Sequence, residues 1–362
     1  MRKDNHHYSV ILAGGIGSRF WPVSTRSCPK QFYDILGLGK TLIQQTFSRV
    51  SEVISSKNIF VITHEDYKSL VYEQLPDLPE SNLLLEPFMM NTAPSVAYAS
   101  FKIRARDKNA CILVAPSDHL ITEEKKFYET LEWAFQEASQ RQRLITLGIE
   151  PIHPNTGYGY IQFIQESDTS LVKKMKTFVE KPSREIASEF LHSGDFLWNS
   201  GIFVWNVQTI LEAYKKHLPH MYNVFSAGEE KMDAEDEQTF IQSIFPTLQR
   251  ISIDYGILEK ADDVYVIPSH FGWSDLGTWS TLCDKVPKDI SGNTVIGKKV
   301  LFYDSLDNIV CLNNKKAAII EGLNGYIIIE TSRALLICKK EKEQEIKRFV
   351  NDLKIEKGEE FL

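Results

Sequence analysis

Apolar and polar positions divide the chain into two regimes. In the first, short apolar runs alternate with stretches of helical spacing. Residues 8–13 (YSVILA) form a brief apolar run that stops at glycines, the pattern of a buried strand entering a turn. Runs at 58–63 (NIFVIT), 82–85, 110–115 (ACILVA) and 144–148 (LITLG) predict further strands. Between them, residues 41–50, with Thr41 as the cap, and residues 93–106 and 127–140 carry helical periodicity. Strands alternating with helices predict βαβ units around a mainly parallel sheet. From Gly157 onward the pattern changes. Residues 159–163, 177–179 and 201–205 predict strands added around that sheet, and 232–244 predicts an acidic helix on the solvated surface.

The second regime begins near a composition shift at 286–292. Five short apolar runs then recur: TVIG, NIVCLN, AAIIEG, YIIIET and ALLIC, separated by Gly, Asn and Asp. They predict a small all-β domain of stacked strands. A Lys-rich amphipathic helix at 340–353 follows. The expected division is residues 1–288 and 289–362. So few short strands bury one face poorly by themselves, so the second piece is expected to have a structural and assembly role.

Composition narrows the function. The 362 residues suit two domains, and 43% apolar content allows a sizeable core. A net charge of −7 counts against nonspecific nucleic-acid binding, which needs a basic face. Any phosphate must then be met by a few local Lys and Arg residues. The cysteines at 28, 111, 283, 311 and 338 are odd in number and form no CxxC pair. They predict neither a disulfide framework nor a zinc site, and imply a reducing compartment. No apolar run reaches the ~18 residues of a membrane span, and the N-terminus shows no secretory signal. A cytoplasmic protein with no membrane partner is expected.

Residues 12–30 (LAGGIGSRFWPVSTRSCPK) hold the most informative chemistry. A strand leads into Gly14, Gly15 and Gly17, with Arg19 and Lys30 following. Glycines let backbone N–H groups approach phosphate oxygens, and two cations can neutralise a triphosphate tail. A dinucleotide fingerprint fails here, because Phe20 stands where the third glycine is required. Residues 34–41 (DILGLGKT) mimic a P-loop, but Asp34 occupies its first glycine position. Asp118, after the strand ending at 115, stands where α/β sheets bind ligands, although an Asp there, taken alone, is more often a turn or cap residue. Asp275 could likewise cap the helix near Gly277.

The stretch GGIGSRFWPVSTRSCPKQF resembles the signature of the sugar-1-phosphate nucleotidyltransferases, and its WP and PKQF parts resemble the mannose-1-phosphate guanylyltransferases. Further similar motifs follow in order: EPFMMNTAPS at 86–95, PSDH at 116–119, NTGYGYI at 155–161, FVEKP at 178–182, WNSGIFVW at 198–205, DYGILEK at 254–260 and GWSDLGTW at 272–279. The resemblance implies an α/β fold: a Rossmann-like, GT-A-like mixed sheet flanked by helices, with a small C-terminal left-handed β-helix-like domain. It implies transfer of a guanylyl group from GTP to mannose 1-phosphate, with Mg²⁺ on Asp118 and Asp275. Arg19, Lys30 and Lys181 would be catalytic cations. Ala13, Gly14, Gly15, Gly17, Glu86, Asn91 and Thr92 would bind the nucleotide. Gly157, Tyr158, Gly159, Glu180, Asn199 and Ser200 would bind the sugar. His119 would support Asp118 by hydrogen bonding. One departure stands out: the family pattern has a basic residue before Asn91, where this chain has Met90.

A phosphate oxygen is already ionised at neutral pH, so the implied in-line attack on the α-phosphorus needs no general base, only positioning and charge stabilisation. The same chemistry on another sugar 1-phosphate or nucleoside triphosphate remains open, as does a non-catalytic sugar-nucleotide-binding homologue. A homodimer is expected. Some relatives fuse a phosphomannose isomerase domain, but the tail here carries no His/Glu metal cluster. The pure protein is therefore expected not to convert fructose 6-phosphate, which a coupled isomerase assay checks.

Overall fold

The computed structural model describes residues 3–165, 171–284, 286–297, 299–312, 316–358 and 360. The chain gathers into two compact units. The first comprises Met1–Gly14, Thr46–Ser117 and Ile121–Trp273, and the second Gly15–Gln45, Asp118–Leu120 and Ser274–Leu362. Segments from both sides of residue 288 therefore share the second unit.

The first unit is built on a nine-stranded sheet. Its strands are β1 (His7–Leu12), β2 (Ile59–His64), β3 (Leu83–Glu86), β4 (Cys111–Pro116), β5 (Leu144–Ile149), β6 (Gly159–Phe163), β7 (Lys173–Glu180), β8 (Phe196–Asn206) and β9 (Val264–Ser269). Their order is β3-β2-β1-β4-β8-β5-β9-β7-β6, and β6 pairs back onto β8. The first four strands are parallel, as the βαβ pattern predicts. The sheet as a whole is mixed rather than mainly parallel, because β8 runs antiparallel to both β4 and β5. Parallel β1 and β4 are adjacent, with Leu12 opposite Pro116, so the chain leaves both strands at one sheet edge. Such carboxyl ends are where open α/β sheets carry their ligand loops.

The acidic segment at 232–244 departs from expectation. Only Glu237–Ile244 is α-helical, and one face of it is buried while Thr239, Gln242 and Ser243 stay exposed. Met232, Ile241 and Ile244 are buried in the main core. Buried Glu237 accepts from Tyr98 Oη at 2.8 Å and pairs with buried Lys102, which also meets Asp233 at 2.8 Å. Two of the acidic residues that made this stretch look solvated, Asp233 and Glu237, are partners for a buried ammonium, and a buried charge must have such partners.

The second unit stacks its short strands in register. Thr294–Ile296, Ile309–Cys311 and Tyr326–Glu330 form a parallel ladder, which Leu335–Lys339 extends antiparallel. Val300–Tyr303 and Ala318–Glu321 form a second parallel ladder. All five expected runs contribute a strand; Asn313, the last residue of NIVCLN, lies outside the described residues. Successive coils are tied by buried asparagines. Asn308 Nδ2 donates to Asn293 Oδ1 at 3.0 Å, and Asn293 Nδ2 to Ser305 O at 3.0 Å. Both faces of the first ladder are apolar, as expected of strands covered on two sides. Val310 and Ile328 pack against Ile320. Ile309, Ile327 and Ile329 face the other way, against a cluster that holds Phe20, Trp21 and Trp279. The coils thus share a core with the segment following the glycine loop.

The Thr41 cap matches its sequence signal, whereas the C-terminal α-helix runs Ile346–Lys357 rather than 340–353. Thr41 N–H donates to Gln44 Oε1 at 3.0 Å and Gln44 N–H to Thr41 Oγ1 at 3.4 Å, a reciprocal cap. Trp279 is fully buried, with its ring 4.9 Å from that of Phe20. Trp279→Ala is expected to cost about 3–5 kcal/mol, the usual penalty for emptying such a site. Denaturant unfolding measures it.

Candidate active site

Gly17 of the glycine loop, Asp118 and Asp275 meet within the second unit. Gly17 has φ +67°, and a Cβ there would lie 2.8 Å from Lys30 Cβ, so only glycine suits the position. It caps the single turn Ser18–Phe20, which carries Arg19 and buries Phe20. Lys30 is 3% exposed. Its ammonium donates to Asp275 O at 3.0 Å and Leu276 O at 2.9 Å, and pairs with Asp118 Oδ2 at 2.9 Å. A lysine has three donors, and these three acceptors use them all. Lys30 is therefore not placed as a direct phosphate ligand, as expected above; it holds the two aspartate segments in place.

Burial works to raise the Asp118 pKa, but the charges of Lys30 and His119 and the Lys30 hydrogen bond outweigh it and hold the carboxyl below its ordinary value. His119 Nε2 lies 4.0 Å from Asp118 Oδ1. Asp275 is not a helix cap; Thr278 caps the helix Trp279–Cys283 with a capping box. Instead Asp275 Oδ1 accepts from Gly277 N–H at 2.9 Å, and a Cβ on Gly277 would fall 2.3 Å from Asp275 Oδ2. Between them Leu276, fully buried, has φ +45°. Such strain in a bulky residue persists only where the surroundings over-determine it. These groups line a cavity of about 310 Å³ with Gly17, Arg19, Lys30, Asp118, Asp275 and also Lys347.

The expected nucleotide residues of the first unit differ in what they can offer. Ala13 N–H donates to Ile62 O at 2.8 Å and its carbonyl accepts from Thr63 Oγ1 at 2.8 Å, so its backbone completes the sheet. Glu86 is buried close to Gly14 and accepts from Ser95 Oγ at 2.6 Å. Burial, against that hydrogen bond, raises its pKa to about 7. Asn91, at φ +70°, caps the helix Thr92–Arg106. Thr92 Oγ1 accepts from Ile253 N–H at 2.9 Å, a structural bond. Met90 packs on the core and carries no charge to the loop.

The expected sugar residues gather elsewhere in the same unit. Gly159 lies opposite Glu180 across β6 and β7. Lys181 has φ +49°, donates its N–H to Tyr158 O at 3.1 Å and its ammonium to Glu180 Oε1 at 2.6 Å. The Lys181 side chain is exposed, so that pair adds little stability and can be exchanged for a ligand. Gly157 N–H donates to Asn155 Oδ1 at 2.7 Å, and the Tyr158 ring packs edge-on against Trp198 and Trp273 at 5.0 and 5.2 Å. Asn199 Nδ2 donates to Asp254 Oδ1 at 2.8 Å. Ser200 does not join them. Neighbouring strand residues face opposite sides, and the fully buried Ser200 hydroxyl donates to Leu147 O at 2.6 Å. That corrects its expected sugar role.

Comparison with known proteins adds to this geometry. Residues 8–292 match the nucleotidyl transferase family, and residues 298–353 match the MannoseP isomerase/GMP-like beta-helix domain. The chain belongs to the nucleotidyl transferase family. Among this family's members, the mannose-1-phosphate guanylyltransferase of Salmonella montevideo is 36% identical over 98% of this chain and 75% of its own length. The alginate biosynthesis protein AlgA of Pseudomonas aeruginosa is 36% identical over 95% of this chain and 71% of its own. A crystal structure of "mannose-1-phosphate geranyltransferase" from Thermus thermophilus superposes with TM-score 0.84 at 27% identity, covering 96% of this chain and 99% of that one.

Two residues of this nucleotidyl transferase were given no role by sequence reasoning. Asp254 was visible in DYGILEK, but its bond to Asn199 was not. Burial, then the charge of Glu180, pushes its pKa to about 6, against the Asn199 bond and the charge of Lys181. Lys347 lies in an ordinary Lys-rich helix and gave no signal.

Glu86 makes stability depend on pH. Its pKa rises from an ordinary 4.5 to about 7 on folding, so the native state binds more protons between those values. The Glu86 contribution is fully present below 4.5 and is lost as pH rises to about 7. Glu86→Gln should flatten stability over this window and be relatively more stable at higher pH. Denaturation midpoints at successive pH values check this.

Proposed function

We propose that the protein transfers a guanylyl group from GTP to mannose 1-phosphate, giving GDP-mannose and pyrophosphate. The observation that carries this reading is the 36% identity to the Salmonella mannose-1-phosphate guanylyltransferase across 98% of the chain. The cavity at the glycine loop supports it, with two carboxylates and cations around one space.

Mg²⁺ takes one or two carboxylates plus phosphate oxygens and waters. Asp118 and Asp275 fit that requirement: both line one cavity, and Lys30 is bonded to both segments. When bound there, Mg²⁺ would offset charge on the phosphates. Arg19, which has no ion pair among the described residues, would meet the departing pyrophosphate. Lys30 would keep the carboxylates in place. Lys181 would exchange Glu180 for the sugar phosphate and lessen repulsion between the two anionic reactants. Glu180 and Asn199 would hold sugar hydroxyls; the Asn199 amide is oriented by Asp254. Glu86, Asn91 and the backbone of Gly14 and Gly15 would contact the nucleotide. A homodimer and a cytoplasmic setting belong to the same proposal; among the described residues no helix is long and apolar enough to cross a membrane.

The direct test is pyrophosphate release from four nucleoside triphosphates against a panel of sugar 1-phosphates. GTP with mannose 1-phosphate should turn over fastest. Faster turnover of another pair would overturn the substrate assignment, and no turnover with any pair would overturn the enzyme. Asp275→Asn should lower kcat by at least ~10²-fold, the scale of losing a key electrostatic stabiliser. Asp118→Asn should do the same and also destabilise the fold, because Lys30 would lose its buried counter-charge. Lys181→Ala should chiefly raise KM for mannose 1-phosphate. Steady-state kinetics beside thermal melts separate these effects.

A further inference from the structure

The cavity at the glycine loop contains a cation from the far end of the chain. Lys347 lines it together with Arg19, Lys30, Asp118 and Asp275. It belongs to the helix Ile346–Lys357. Ile346 is fully buried in the cluster of Phe20, Trp21 and Trp279, and Phe349, Val350 and Leu353 pack against that cluster. The spacing 346, 349, 350, 353 is a single helical stripe. Four apolar anchors thus fix this helix on the segment that carries Arg19. Lys347 follows the first anchor by one residue, so its side chain departs from the stripe by about 100°.

Charge shows what Lys347 could do. The cavity holds three cations, Arg19, Lys30 and Lys347, and two carboxylates, Asp118 and Asp275. Lys30 has all three donors committed to protein acceptors. Besides Lys347, Arg19 would then be the one Lys or Arg side chain lining the cavity left to face, with any bound Mg²⁺, a polyphosphate that carries several negative charges. Lys347 has no ion pair among the described residues, whereas neighbouring Arg348 pairs with Glu345 at 2.5 Å. A long, flexible ammonium in such a cavity can follow a phosphate as a point charge.

We propose that Lys347 is a ligand for the β- and γ-phosphates of the nucleoside triphosphate, and for the pyrophosphate they become. The C-terminal β segment then supplies part of the catalytic site, beyond the structural and assembly role its sequence implied. The proposal rests on the guanylyltransferase reading above but can fail separately from it.

The experiment uses the full-length protein and the variants Lys347→Ala, Lys347→Arg and Arg348→Ala. Lys347→Ala should raise KM for GTP and the inhibition constant of inorganic pyrophosphate by about tenfold or more, the scale of one hydrogen bond to a charged group. KM for mannose 1-phosphate and the melting temperature should hardly move. Lys347→Arg should recover most of the loss, and Arg348→Ala should behave as wild type. Pyrophosphate constants within about twofold of wild type in Lys347→Ala would overturn the proposal, being within the range of an incidental surface charge. So would a loss confined to the sugar phosphate. Calorimetric binding of pyrophosphate to wild type and Lys347→Ala reads the same difference without turnover. If wild type makes no GDP-mannose, the functional reading fails, while a pyrophosphate affinity lowered in Lys347→Ala would still sustain the Lys347 assignment.

Discussion

The ammonium of Lys30 is the constraint on which the candidate site depends. A charge this deeply buried is tolerated only when fully paired and hydrogen-bonded. Its three acceptors come from Asp118 and from the adjacent Asp275 and Leu276, two segments far apart in the chain. Satisfying one lysine therefore brings the loop after β4 and the 275–276 turn to the glycine loop. It also accounts for the strain nearby. Leu276 is held at positive φ because its carbonyl and that of Asp275 must both reach the same nitrogen. Gly17 is required because Lys30 Cβ occupies the space a side chain would need.

The apolar cluster around Phe20, Trp21 and Trp279 works with this ion pair. It buries the outer face of the first coil ladder and the stripe of the C-terminal helix together. Packing at interior density leaves little room for rotation, so the turn that bears Arg19 is held by the coils. In the first unit a different logic applies. There two carboxylates, Glu180 and Asp254, act on each other, and Asp254 is held against an amide. An oriented amide and paired carboxylates suit sugar hydroxyls, which both donate and accept. Lys181 and Asn91, both at positive φ, are further places where backbone strain coincides with motif residues.

The sequence by itself determined the fold class, the first strands of the sheet and the motifs around which the candidate site is built. Period-two and period-3.6 patterns report local burial, and they located β1 to β4 and the coil strands within a few residues. Motif order brought Asp118 and Asp275 forward as a pair. What it could not determine was which partner each group takes. The acidic stretch containing Glu237 looked solvated because charge in a sequence says nothing of a buried Lys102 waiting 135 residues away. Ser200 looked like a sugar ligand because a motif names residues but not the side of the strand they face. Lys30 looked like a phosphate cation because donors are visible in sequence while their acceptors are not. Lys347 gave no signal, since a lysine on an amphipathic helix is ordinary until the helix is docked. The tertiary structure set the neighbours of all four for one physical reason: hydrogen bonds and ion pairs are satisfied by spatial neighbours, and those neighbours are chosen when apolar faces far apart in the chain close on one another.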